Sequence, residues 1–336
     1  MAHSVYSLKS LHTFGLPYCA QSLQNIVNTQ QALSFSHLDN VEEYCLIGEG
    51  SNCVFLEDFE GQIVQIKIPG IAVEETEDSY RLEVGAGEKW HSLVQWCLRK
   101  GLYGFENLAL IPGTVGAAPI QNIGAYGIEL ERFVWEVEYV CLESNEVKCL
   151  TRNECLFGYR DSIFKHELSS KVIITKVVFA LPKQWQAITH YGELAGLKHP
   201  SAEDVYHKVV EIRQSKLPDP KLLGNAGSFF KNPIVTKSVL AKLKLHWPEI
   251  PNYEVSLDLV KVPAAWLIDI LGFKGQSKGG IRCHPNQPLV LTNTGQGTGQ
   301  ELLYLAREIK QSVWQKFGIA LENEVQLIAK QGRIHL

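Results

Sequence analysis

Residues 110–127 read LIPGTVGAAPIQNIGAYG. Four glycines, three alanines and two prolines share this stretch with no charged residue. It has neither the two-residue alternation of a half-buried strand nor the apolar spacing of an amphipathic helix. The stretch therefore reads as ordered coil. Such a segment presents backbone N–H and C=O groups with few side chains in the way, and its glycines let the chain turn left-handed and lie close against a ligand. A plain connecting loop is the competing reading, because clusters of Gly and Pro commonly mark turns.

The flanks of this coil read as alternating strands and short helices. YRLEVGAG (80–87) alternates as a strand, and KWHSLVQWCLRKG (89–101) then spaces Trp90, Leu93, Val94 and Cys97 along one helical face before stopping at Gly101. Upstream, EEYCLIGEGSNCVFL (42–56) reads as two short strands hinged at Gly48 to Asn52, followed by a third, GQIVQIKI (61–68). Downstream, FVWEVEYVCL (133–142) and KVIITKVVFAL (171–181) continue the strand pattern. Polarity and proline content rise between Leu197 and Pro220, which places a boundary near 205–220. Two helices stand out after it. PAAWLIDILG (263–272) has Pro263 at its start and Gly272 just past its end, and TGQELLYLAREIKQSVWQKFG (298–318) opens with Thr298 and Glu301 in capping-box spacing and closes on Gly318. Helix-start chemistry thus accounts for GQGTGQ (295–300), which otherwise imitates a phosphate loop. GAGEKW (85–90) and GFKGQSKGG (272–280) lack the full dinucleotide and Walker spacings.

Composition narrows the class of function. At 336 residues the chain is long enough for two or three domains, and its net charge of −4 carries no footprint of a nucleic-acid partner. Eight cysteines include no C-x-x-C pair and no Cys/His cluster at zinc-ligand spacing, so reduced thiols and no metal site are expected. The N-terminal segment lacks an apolar signal core, and no run reaches the ~18 apolar residues of a membrane helix. A cytoplasmic protein, a monomer acting on small molecules without membrane or nucleic acid, is the expectation.

Four further stretches carry chemistry. GEGSN (48–52) offers a flexible backbone and two short polar side chains, Ser51 and Asn52. FGYRDSIFK (157–165) carries Tyr159 and Arg160; an arginine there can fork onto a carboxylate, or simply be solvated on a surface turn. RQSKLPDPKLLGNAGSFFKNP (213–233) concentrates Arg213, Lys216, Ser228 and Asn232 beside two phenylalanines that can equally be a buried anchor. IALENEVQLI (319–328) alternates, with Glu322, Glu324 and Gln326 on one face and Leu321, Val325 and Leu327 on the other, so that a solvated strand face competes with a role for Glu324.

Together, GEGSN, PGTVGAAPIQNIGAYG, GYRDSIFK, KLPDP, GNAGSFFKNP and LENEV resemble the UDP-N-acetylenolpyruvoylglucosamine reductase (MurB) family, in that family's order and across Gly48 to Val325. The resemblance implies an α+β fold: a FAD-binding module of the vanillyl-alcohol-oxidase (PCMH) type in two parts, residues 1–70 and 71–205, followed by a substrate domain at 206–336. It implies non-covalent FAD held by Gly48, Glu49, Gly50, Ser51 and Asn52 and by Ile111, Pro112, Gly113, Thr114, Gly116, Ala117, Ile120, Gln121, Ile123 and Gly124. It also implies NADPH as co-substrate, and reduction of enolpyruvyl-UDP-GlcNAc to UDP-N-acetylmuramate for peptidoglycan.

Catalytic roles then fall to three residues. Arg160 holds the substrate carboxylate and the charge that develops on it, Glu324 in its protonated form shares that site, and Ser228 donates a proton to carbon. Tyr159, Tyr191, Arg213, Lys216, Asn232 and Gln287 become substrate contacts. THYGELAGL (189–197) is similar to the tyrosine-bearing insertion of the family's type I members. One departure is Gln326, where the family often has a basic residue. A flavin oxidase of the same fold would leave Ser228 and Glu324 without a role, and a non-catalytic flavin-binding protein would need neither Ser228 nor Arg160.

Overall fold

A computed structural model describes residues 5–35 and 43–336. Met1–Ser4, part of the segment read for a targeting signal, and Glu42, read as the start of a strand, lie outside the described residues. The chain divides into two compact units that are interleaved in sequence. One comprises Gln21–Glu49 and Gly61–Ser215; the other comprises Val5–Ala20, Gly50–Glu60 and Lys216–Leu336. The first seventy residues thus contribute to both units.

In the first unit the dominant layer is a five-stranded antiparallel sheet. Its strand order is Glu146–Thr151, Val134–Cys141, Val172–Pro182, Ser79–Gly85 and Ile71–Glu75. The central strand is the β-branched run anticipated at 171–181. It is buried on both faces over most of its length, with Val177 facing Val84 on one neighbour and Val137 on the other. Helix Trp90–Arg99 lays Trp90, Leu93, Val94 and Cys97 into the core, the four positions its spacing selects. Trp90 is the anchor. Its ring lies 5.1 Å from Phe105 and 6.0 Å from Phe179, and its indole N–H donates to the Leu108 carbonyl at 2.9 Å. A parallel pair, Tyr44–Ile47 beside Phe59–Ile66, ends on the GEGSN loop.

The second unit is built on three small sheets and one long helix. Gly224–Ser228, Val290–Asn293, Ile281–Cys283 and Ser277–Lys278 form one sheet, and Ile234–Thr236, Leu259–Lys261 and Tyr253–Glu254 a second. In the third, Gln326–Ala329 pairs antiparallel with Gly332–Ile334 and parallel with Cys53–Phe55. Helix Gly299–Phe317 buries Leu302, Leu305, Ala306, Ile309, Val313 and Phe317. Thr298 and Glu301 make the expected capping box, and Gly318 closes the helix in the left-handed region at φ 64°. In the shorter helix Ala264–Ile270, Pro263 stands at the cap rather than in the first turn. No disulfide joins any of the eight cysteines, and no helix among the described residues is long and apolar enough to cross a membrane.

Candidate active site

In the first unit, the 110–127 stretch is neither strand nor helix but a chain of tight turns pinned to its surroundings. Its first part lies along 86–90: Trp90 N donates to Gly113 O at 2.9 Å, Val115 N to Glu88 O at 2.8 Å and Gly116 N to Ala86 O at 2.9 Å. Single 3-10 turns follow at Val115–Ala117 and Pro119–Gln121, and then a two-residue hairpin pairs Gly124–Ala125 with Ile128–Glu129. The glycines serve close approach. A Cβ on Gly116 would stand 2.5 Å from the Ala86 Cβ, and one on Gly48 would collide with the Thr114 hydroxyl. Glu49 reinforces the same seam, accepting from Gly113 N at 3.3 Å and pairing with Lys89 at 2.8 Å.

Asn122 organises the turn. It is fully buried at φ 42°, a conformation Asn tolerates, and its amide donates to Glu129 Oε2 and the Gly158 carbonyl while its oxygen accepts from Glu131 N. The sequence reading passed over it, although an Asn in an apolar Gly/Ala run is a usable sign of a left-handed turn. Ile123, buried, accepts from Leu130 N, and Ser162 Oγ donates to Ile120 O at 2.7 Å.

Arg160 comes to this loop. Its Nη2 donates to Gly124 O at 2.7 Å, its own carbonyl accepts from Lys165 Nζ at 2.7 Å, and its φ of 55° is strained for a residue with a side chain. The guanidinium lies 5.5 Å from the Tyr159 ring. Arg213 joins from helix Ala202–Lys216 by donating to Leu110 O at 3.3 Å, while its buried Nε has no hydrogen-bond partner. Burial lowers the Arg213 pKa first, and the Arg160 charge lowers it further. Two guanidinium groups held this way favour an anion or a carbonyl-rich ligand. His91, which accepts from Leu110 N at 3.0 Å, is pushed down by burial and by Arg213 and stays neutral. Tyr191, 40% exposed, sets its ring 6.4 Å from Tyr126.

In the second unit, the structure draws Ser228 and Glu324 onto adjoining backbone. Glu324 N donates to the carbonyl of Phe229, the residue after Ser228, at 2.8 Å, and Phe230 bridges Asn323. Asn52 continues the line: its Nδ2 donates to Glu324 O at 3.3 Å and its carbonyl accepts from Gln326 N at 2.9 Å. Ser228, Glu324 and Gln326 are all half-buried. The strand anticipated over 319–328 starts only at Gln326, because Asn323 and Glu324 bend away to make these bonds, although Leu321, Val325 and Leu327 are buried as expected. Gly50 packs on Leu11 and His12 at φ 62°, with Ser51 half-buried beside it. Gln287 accepts from Val290 N at 2.9 Å, on the residue paired with Ser228. Asn232 spends its side-chain oxygen on Ala264 N at 2.9 Å, and Lys216 is exposed at the end of its helix.

Residues 219–328 match the family described as UDP-N-acetylenolpyruvoylglucosamine reductase, C-terminal domain, and residues 30–149 match the FAD binding domain family. A reductase of that name from Pseudoalteromonas atlantica is 55% identical over 98% of this chain and 96% of its own length, and one from Vibrio cholerae is 45% identical over 98% and 96%. The chain belongs to the UDP-N-acetylenolpyruvoylglucosamine reductase family. The crystal structure of the family's Thermus caldophilus protein covers 96% of this chain and 98% of its own at a TM-score of 0.66 and 23% identity, so the two share a fold. That fold is α+β, with a FAD-binding module and a separate C-terminal domain, as the motifs implied. The buried Nε of Arg213, which has no protein hydrogen-bond partner, fits an anionic or carbonyl group of the cofactor.

Proposed function

We propose that this protein is an NADPH-dependent flavoenzyme that reduces UDP-N-acetyl-3-O-(1-carboxyvinyl)glucosamine to UDP-N-acetylmuramate, a step of peptidoglycan precursor synthesis. We further propose that it works in the cytoplasm as a monomer, with small molecules as its only partners. The observation that carries the reading is 55% identity along nearly the whole chain to a reductase of that name. FAD, when bound, would supply the redox chemistry that links NADPH to the enolpyruvyl group.

The seam of Gly48, Glu49, Ile111, Pro112, Gly113, Thr114, Gly116 and Ala117, the turn residues Ile120, Gln121, Ile123 and Gly124, and the Gly50, Ser51 and Asn52 segment hold the cofactor. Arg160 is always charged, and its bond to Gly124 O fixes the plane of its fork, so it binds the substrate carboxylate and takes up charge as the enolate develops. Glu324 donates a hydrogen bond to the same oxygens, since a bare carboxylate there would repel them. Ser228 Oγ gives its proton to the carbon next to the carboxylate. Tyr159, Arg213, Lys216, Asn232 and Gln287 bind the sugar nucleotide, and Tyr191 closes over its UDP end. The purified protein is expected to be yellow, to bleach with NADPH under anaerobic conditions, and to regain colour on adding the enolpyruvyl sugar nucleotide. A bleached protein that recovers only with oxygen would be an oxidase.

A further inference from the structure

Glu106 and Asn107 have no part in the chemistry above, yet both are buried polar side chains, 3% and 2% exposed, on one 3-10 turn, Glu106–Leu108. Burying such groups is costly unless each is hydrogen-bonded, so their partners show what the turn is for. Asn107 uses both N–H bonds of a single carboxamide. One goes to the carbonyl of Tyr126, in the last turn of the 110–127 stretch, at 2.9 Å, and the other to the carbonyl of Ile188, in the segment that leads to Tyr191, at 2.8 Å. Glu106 accepts from Gly104 N at 2.8 Å and from the Trp185 indole N–H at 3.3 Å.

The same rigid turn therefore grips the incoming chain at Trp185 and Ile188. Beyond Tyr191 the segment is pinned again where Leu194 is wholly buried in the turn Gly192–Gly196. Between these two anchors His190 to Glu193 are exposed, and Gly127 packs against His190 and Tyr191. We infer that Asn107, assisted by Glu106, is a positioning residue that fixes the Tyr191 segment to the flavin loop and so sets affinity for the sugar nucleotide without acting in the NADPH half-reaction. The inference rests on the reading of Tyr191 as a substrate contact.

The test compares Asn107→Leu, Tyr191→Ala and the double variant as FAD-loaded proteins. Asn107→Leu keeps a similar volume and deletes both donors, and it is expected to raise KM for the enolpyruvyl sugar nucleotide by about 5–150-fold, equivalent to ~1–3 kcal/mol of lost placement. Flavin reduction by NADPH is expected to be unchanged, and backbone amides of 185–192 to exchange faster with solvent in the absence of substrate. The double variant should be no worse than the poorer single one, because both changes remove one placement.

Multiplying effects, or equal slowing of flavin reduction, would overturn the inference by making Asn107 a general structural residue. If Tyr191→Ala raises KM and Asn107→Leu does not, the inference fails while the reading of Tyr191 stands. A Tyr191→Ala protein with unchanged KM would sink both. Should Asn107→Leu fail to retain FAD, Trp185→Phe decides: it removes the indole donor while keeping an aromatic ring and is expected to raise KM in the same direction, whereas an unchanged KM would overturn the inference.

Discussion

At the scale of single residues, the site depends on groups whose backbone is as constrained as their side chains. Arg160 keeps a left-handed φ of 55° because Lys165 and the Gly158–Asp161 bridge hold its peptide while Gly124 holds its guanidinium. An ammonium cannot reproduce a planar fork, so Arg160→Lys is expected to lower the rate of flavin reoxidation by substrate severely while leaving reduction by NADPH intact. Ser228→Ala should confine its damage to the same half-reaction, since losing a positioned proton donor costs ~10²–10⁴-fold. Stopped-flow absorbance separates the halves, and equal slowing of both would make Ser228 a structural residue. Gly116 offers a test of the cradle. A Cβ there meets the Ala86 Cβ at 2.5 Å and the Ala86 backbone at 3.1 Å, so Gly116→Ala should yield folded protein with little flavin, read from the ratio of visible to ultraviolet absorbance.

At the scale of elements, local chemistry decides where helices begin and end. Glu301 closes the capping box by accepting from Thr298 N at 2.9 Å and also accepts from Gly280 N at 3.2 Å. Thr298 serves a single amide, Glu301 N at 3.2 Å. Removing an N-cap hydroxyl typically costs ~1 kcal/mol, so Thr298→Ala should destabilise the protein by about that amount, and Glu301→Ala by more because two backbone donors lose their acceptor. Urea unfolding followed by far-ultraviolet circular dichroism gives the comparison, and a larger loss for Thr298→Ala would contradict it. Helix Ala202–Lys216 shows the limit of local reading. Val205, Tyr206, Val209 and Ile212 do recur on one buried face, but the charged residues between them and the prolines that follow made the stretch read as a polar boundary.

At the scale of the whole molecule, stability carries an acid-sensitive group. His12 is 4% exposed, its ring is packed edge-on against Phe55, and its Nε2 lies 3.3 Å from Leu16 O. Burial pulls its pKa from 6.5 down to about 4, the carbonyl contacts opposing this only in part. Because the folded state prefers the neutral ring, the unfolded chain binds the extra proton between those values. Stability is thus complete above pH 6.5, falls as pH drops toward 4, and loses ~3 kcal/mol from this group alone. His12→Gln should flatten that limb of the pH–stability curve between pH 6.5 and 4.5. An unchanged slope would assign the acid sensitivity elsewhere.

Short-range signals in the sequence were enough for several features. The Thr298 and Gly318 boundaries, the buried face of Trp90, Leu93, Val94 and Cys97, and the coil at 110–127 all follow from chemistry acting over one or two turns of chain. The joint order of the motifs was enough for the family, the α+β class and the flavin cofactor. What the sequence could not order was partnership between distant segments. Nothing local says that Cys53–Phe55 pairs in parallel with Gln326–Ala329, that Glu324 leaves its strand pattern to bond Phe229, or that Arg160 turns its fork onto Gly124. Those choices depend on register, on which polar groups remain to be satisfied once the core closes, and on close approach that only glycine permits. They exist only when both partners are in place, and so the tertiary structure decided them.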